Sequence, residues 1–168
     1  MADYEITIIQ DTREKRPLLF PAILKLWGHL YTVRLVKQRL DAGDYCLQGP
    51  NNQPLTQPAL IERKASVAEI RNNFFTADKH RMRRALDKLC KASHHPILLF
   101  EASPSDILKP TKRIPNPGGV LQRLIDECAR RRIEELWVGA CAFAPKRRAV
   151  GELALRFLAS YARESGHL

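Results

Sequence analysis

Apolar residues first gather at Glu5 to Gln10 (Glu-Ile-Thr-Ile-Ile-Gln), a β-branched run that predicts a buried first strand. Between Pro17 and Leu30, Leu19, Phe20, Ile23, Leu24 and Trp27 fall at helix-like spacing. They predict a short amphipathic helix after Pro21, closed near Gly28, with Trp27 in the core. Tyr31 to Leu40 alternates instead, with Tyr31, Val33 and Leu35 on one face and Thr32 and Arg34 on the other, and reads as a second strand. Asp41-Ala42-Gly43 is a turn. A third strand begins at Asp44-Tyr45-Cys46-Leu47, and a polar, proline-containing loop from Gly49 to Pro58 leads back through Ala59 to Lys64. That pair reads as an antiparallel hairpin, which brings the start of one strand beside the end of the next.

After Lys64 the period changes. Ser66 and Glu69 have capping-box spacing and open a helix expected to end near Asn72-Asn73. Thr76 is a second N-cap candidate, before a helix over Asp78 to Lys91 with Met82, Ala85, Leu86, Leu89 and Cys90 inward. Its other side carries Lys79, His80, Arg81, Arg83, Arg84, Lys88 and Lys91. Ile97 to Phe100 is a continuous apolar run, the mark of a central strand. Ser103 to Gly119 reads as a long proline-containing loop. Val120 to Arg132 predicts a helix with Val120, Leu121, Leu124, Ile125 and Cys128 inward, Ile133 to Gly139 a last strand, and Arg147 to Arg163 a closing helix. The whole is a mixed α/β domain, one central sheet with helices on both faces, over residues 1–168.

Charge narrows the partner. A formal net charge of +10 favours a polyanion, nucleic acid before membrane. The N-terminus has no basic, hydrophobic leader and no run approaches membrane-spanning length, so a cytoplasmic protein is expected. Cys46, Cys90, Cys128 and Cys141 make no close pair, so neither a zinc site nor a redox motif is expected, and each reads as a small buried residue.

The chemistry concentrates at strand ends. Glu62 and Lys64 share one face of the last hairpin strand, with Arg63 on the other. The hairpin sets Asp44 beside Glu62, and the first strand delivers Asp11 and Glu14. Clustered carboxylates repel one another unless a cation sits among them, and hard oxygen ligands suit Mg²⁺ or Mn²⁺. An adjacent amine orients a water or stabilises charge developing at a phosphate. Lys15 and Arg16 read as a solvated loop.

Asp11-Thr12-Arg13-Glu14, Gly43-Asp44-Tyr45 and Ile61-Glu62-Arg63-Lys64, in this order, resemble the nuclease domain of the XPF-type structure-specific endonucleases. These are a branch of the restriction-endonuclease-like, PD-(D/E)XK superfamily. The strand from His95 to Glu101 and the stretch Glu135 to Val138 extend the likeness over nearly the whole chain. The resemblance implies a restriction-endonuclease-like fold and a divalent-metal-dependent endodeoxyribonuclease. Its expected substrate is branched or flap DNA in repair, recombination or phage DNA processing. It implies Asp44 and Glu62 as metal ligands, with the Arg63 backbone carbonyl and Asp11 as further candidates. Lys64 would assist the attacking water, and Asp11 and Glu14 would support the site. Arg13 and Arg63 would hold phosphates or the surrounding carboxylates. Arg81 matches an arginine the family keeps near its substrate, and Arg83, Arg84 and Lys88 extend that basic face toward DNA. Homodimerisation is implied as well. The family has an aspartate four residues past the motif lysine; here that position is Ala68, and Glu69 follows as its substitute or as a cap partner. The family's helicase and helix-hairpin-helix parts have no counterpart here, an arrangement expected of a phage or bacterial protein, with a nuclear location if it is eukaryotic. The alternative is a DNA-binding or scaffold module of the same fold with weak catalysis.

Overall fold

A computed structural model describes residues 4–76 and 79–168. β1 (Tyr4–Gln10) is a central strand. It pairs in parallel with β3 (His29–Lys37), with Ile8 opposite Leu35, and antiparallel with β4 (Tyr45–Gln48). β2 (Ile23–Leu26) closes one edge against β3, and β5 (Pro54–Leu55) pairs with β4. β6 (Ala59–Lys64) meets β4 antiparallel at Tyr45–Ile61, and β7 (His95–Phe100) and β8 (Glu134–Trp137) follow in parallel. The order is β2-β3-β1-β4-β6-β7-β8. β1, β6, β7 and β8 therefore end at one edge of the sheet, and β4 begins there.

Successive side chains leave a strand on opposite faces, so one sheet serves two cores. Ile8, Tyr45, Ile61 and Leu99 pack under α5 (Ala144–Glu164) with Leu155 and Leu158. Ile9, Cys46, Leu60 and Leu98 pack under α1 (Val67–Phe75), α2 (Lys79–Ala92) and α4 (Gly118–Arg131) with Ile70, Leu86 and Leu124. This is the mixed α/β arrangement that the pattern predicts. Among the described residues no helix is long and apolar enough to cross a membrane.

Five local expectations are corrected. No helix lies between Pro17 and Leu30; β2 turns back through Trp27 and Gly28, both at positive φ, into β3. Two positive-φ residues make the tight hairpin turn whose twist matches its strands, and pairing with β3 overrides the helix-like spacing. Trp27 is 39% exposed at that turn, against the Arg163 guanidinium, and not in the core. α1 runs past Asn73 to Phe75, with the Thr76 N–H bonded to the Asn72 carbonyl; the cap expected of Thr76 on the next helix involves residues 77 and 78, which lie outside the described residues. The Ser103–Gly119 segment contains a short capped helix, α3 (Pro104–Ile107). Ile125 and Cys90 are only partly covered, because each sits on the flank of its helix stripe.

Candidate active site at the sheet edge

Three strand ends are tied together by backbone. Asp11 N–H donates to the Asp44 carbonyl at 2.8 Å, and Asp44 N–H donates to the Ile61 carbonyl at 2.7 Å. The turn before Asp44 needs Gly43. Its φ is +71°, and a Cβ there would lie 2.7 Å from the Leu60 side chain. Past Tyr45 the strand pairing stops, and the Asp44 side chain continues it: Oδ2 accepts the Arg63 N–H at 2.7 Å. In a strand the N–H and C=O of one residue face the same neighbour, so the Arg63 carbonyl also faces Asp44.

Glu62 and Lys64 leave β6 toward α1 and α2. Lys64 Nζ lies 2.5 Å from Glu62 Oε1 and 3.8 Å from Glu69 Oε1. Burial works against the Lys64 charge, but Glu62, Glu69 and Asp44 outweigh it and raise its pKa. Lys64 therefore stays an ammonium and donates hydrogen bonds. Asp44 has the opposite fate. Burial, then repulsion from Glu62, push its carboxyl up to about 8, against the Arg63 N–H that favours the anion. Glu69 is both a cap partner and a member of this shell. Its N–H donates to Ser66 Oγ, and its carboxylate accepts the Ala65 N–H.

The remaining acids are matched to arginines. Asp11 is fully buried. Its Oδ1 accepts Arg13 N–H and Nε–H, each at 2.7 Å, and its Oδ2 accepts Arg13 Nη2–H and the Leu40 N–H. Burial alone would raise its pKa; these bonds overcome that and hold it low. Both oxygens are taken, so Asp11 braces the loop that carries Arg13 and is not placed to ligate a metal. Arg63 is buried on the α5 side of β6, 3.1 Å from Glu14 and 2.5 Å from Glu101. That corrects Arg63 as a phosphate contact: its guanidinium holds surrounding carboxylates, and Glu14 is committed to it. Glu101, a strand-end acid outside the motifs, is the partner the pattern does not flag.

Two open clefts meet at Asp44 and Glu62. One, of about 400 Å³, is walled by Arg13, Asp41, Arg81, Arg84 and Lys88. The other, of about 300 Å³, is walled by Arg13, Glu14, Lys15, Arg16, Arg63 and Glu69. Lys15 and Arg16 thus belong to the site wall as well as to a solvated loop. Arg83 does not reach it. Its guanidinium is 2.8 Å from the buried Glu127 of α4, so it joins α2 to α4 instead of facing a phosphate.

Among the described residues no set of three His, Cys, Asp or Glu side chains is arranged to share a metal ion. Asp44, Glu62 and the Arg63 carbonyl form a smaller, all-oxygen set. It fits Mg²⁺ or Mn²⁺, which bind through one or two carboxylates and complete their shell with water and phosphate oxygens. The repulsion that lifts Asp44 is what such a cation between the carboxylates would relieve.

No protein-family model and no curated protein matches the chain. Its fold does match solved structures. XPF from Aeropyrum pernix in complex with DNA superposes with a TM-score of 0.58 at 19% identity, over 96% of this chain and 65% of that one. XPF from the same organism without DNA superposes with a TM-score of 0.57 at 19% identity, over 94% of this chain and 69% of that one. The chain thus spans about two thirds of the length of these neighbours. The restriction-endonuclease-like fold that the motifs imply is the fold observed.

Proposed function

We propose that this protein is a divalent-metal-dependent endonuclease that hydrolyses phosphodiester bonds in branched or flap DNA. One observation supports the reading most: Asp44 and Glu62 both line two clefts that share them, with the Lys64 ammonium held on Glu62 and Arg13, Arg81, Arg84 and Lys88 in the cleft walls. The XPF-like fold and the DNA bound to one neighbour support it.

In this reading Asp44, Glu62 and the Arg63 carbonyl hold Mg²⁺ or Mn²⁺. The cation, when bound, supplies Lewis-acid stabilisation of charge at the scissile phosphate. The protein's own groups do the positioning. Lys64, kept charged by its carboxylate neighbours, donates to the attacking water or to a phosphate oxygen and does not act as the base. Arg81, Arg84 and Lys88 align the backbone along the cleft. Arg63 acts at one remove. It fixes Glu14 and Glu101 and keeps β6 straight where its ligand carbonyl emerges.

Cleavage of fluorescent flap, fork and linear duplexes, each with Mg²⁺ and with Mn²⁺, tests the proposal. Cutting of the branched forms in preference to the linear one is expected, and its loss in Glu62→Ala. Binding of DNA without cutting by either metal would leave a scaffold module of this fold instead.

A further inference from the structure

α5 starts without the devices that open α1 and α3, as α4 does, whose N-cap is Pro117 and whose first turn holds no acid. α1 begins at Ser66 and α3 at Ser103, each hydroxyl accepting a first-turn N–H, each helix with an acid in its first turn. α5 begins at Phe143, which offers no side-chain cap, and its first turn holds no acid. Lys146, Arg147 and Arg148 follow, positive charge at the positive end of a helix dipole. Phe143 is 77% exposed, more than any other large apolar side chain among the described residues. What marks this start is the exposed ring beside a run of cations, a combination suited to binding and not to packing.

That spot adjoins the clefts. β8 ends at the same sheet edge as β6, and α5 starts after a short connection. Lys15 and Arg16 wall one cleft, and the next residue, Pro17, accepts a bond from Arg147 Nη2. Leu19 N–H donates to the Arg147 carbonyl, and a Cβ on Gly151 would lie 2.1 Å from the Leu19 carbonyl oxygen, so this loop lies directly on the α5 backbone. Arg147 N–H in turn donates to the Phe143 carbonyl. From Glu14 to Pro17 the chain spans at most about 10 Å. A basic path thus leads from Asp44 and Glu62, past Lys15 and Arg16, to an exposed aromatic ring. It lies on the α5 side of the sheet, away from the basic face of α2.

We infer that Phe143, flanked by Lys146 and Arg148, is a stacking platform for an unpaired base of the DNA whose backbone enters the cleft. The inference rests on the proposed function and names what the second side of the site reads. An aromatic ring stacks on any base, and neighbouring cations hold the phosphates of the strand. Bases inside a continuous duplex are already stacked on one another, so the platform engages only DNA with a single-stranded arm. α2 then takes the duplex, and the start of α5 takes the arm.

The decisive variant is Phe143→Ser. Serine is a good N-cap, so Tm should rise, while affinity for a flap, measured by anisotropy without divalent cation, should fall about tenfold. Affinity for a linear duplex should stay the same. Phe143→Trp should keep the flap affinity of the native chain, and Lys146→Ala with Arg148→Ala should lower the salt dependence of flap binding. Unchanged flap affinity in Phe143→Ser, or an equal loss on flap and duplex, would overturn the inference and leave the nuclease reading standing. A native chain that binds neither DNA would overturn both.

Discussion

The acids at this sheet edge fall into two groups. Asp11, Glu14 and Glu101 are met by Arg13 and Arg63, and further off Glu127 is met by Arg83 and Arg131. Among the described residues Asp44 and Glu62 form no ion pair with an arginine, and the nearby Arg13 acts on them only through its field. They are met by a lysine, a backbone N–H and each other. The first group is saturated and holds the fold; the second keeps oxygens aimed into open clefts. The same residue type does both jobs, and the difference lies in what the neighbouring strand places opposite.

Breaking the saturated group should have the largest effect on stability. Arg63→Ala leaves two carboxylates, Glu14 and Glu101, beside a void in the α5 core. Removing one partner of a buried pair costs about 3–5 kcal/mol. Urea denaturation should show that loss at neutral pH, with part of it recovered at low pH as the stranded acids take up protons. A loss below about 1 kcal/mol would mean that Arg63 is no brace.

Breaking the open group should spare the fold and remove the activity. Glu62→Ala should slow single-turnover cleavage on the order of a hundred- to a thousandfold, the range for losing one group that stabilises transition-state charge. Its Tm should move little, because Lys64 keeps Glu69 as a partner. A variant that loses activity and Tm together would erase the contrast between the groups.

The contrast sharpens with pH. The Asp44 carboxyl titrates in the folded state at about 8, far above its ordinary value of 3.8. Between those values the folded state holds a proton that the unfolded state has released. Stability therefore falls as pH rises through that window, and the full cost is present above it. Asp44→Asn removes the charge and keeps an acceptor for the Arg63 N–H. It should melt a few degrees above the native chain at pH 9 and close to it at pH 4; at this size about 1 kcal/mol is worth 2–4 °C. Mg²⁺ or Mn²⁺ should raise the Tm of the native chain at pH 8 and not that of the variant. Asp11 gives the opposite slope: held low by Arg13, it contributes stability that is lost as pH falls below 4.

Strands built from continuous apolar or β-branched runs, β1, β6 and β7, were legible from the sequence, and so were α2, α4 and α5. The β4–β6 hairpin placed Asp44 beside Glu62 without any contact information, because antiparallel geometry leaves no other choice. The β2–β3 hairpin was not legible. Leu24, Leu26 and their neighbours fit a short helix equally well, and its turn starts with Trp27, where Asn or Asp would have announced it. Nor was the choice between the two roles implied for Arg63, holding phosphates or holding carboxylates. Its partners lie 49 residues before it and 38 after it, and nothing local records which of two faces a buried guanidinium will find acids on. Phe143 left a faint signal, an aromatic and a proline ahead of Lys146-Arg147-Arg148, which a reading of apolar periodicity passes over.

The smallest expected effect comes from neighbouring arginines on α2. Arg84 lines the cleft, while Arg83 is turned to Glu127. A phosphate contact releases a counterion and adds about 0.9 to the slope of log affinity against log salt. Arg84→Ala should lower that slope by about 1 on duplex DNA and weaken binding several-fold, with Tm unchanged. Arg83→Ala should leave the slope alone and lower Tm, because Glu127 is buried and keeps only Arg131 and the more distant Arg130. One residue of register thus separates the proposed DNA contact from a helix clamp. If both variants changed the slope equally, the Arg83–Glu127 pair would be too weak to hold that guanidinium off the DNA, and the division of the charged residues into bracing and binding sets would fail on this helix first.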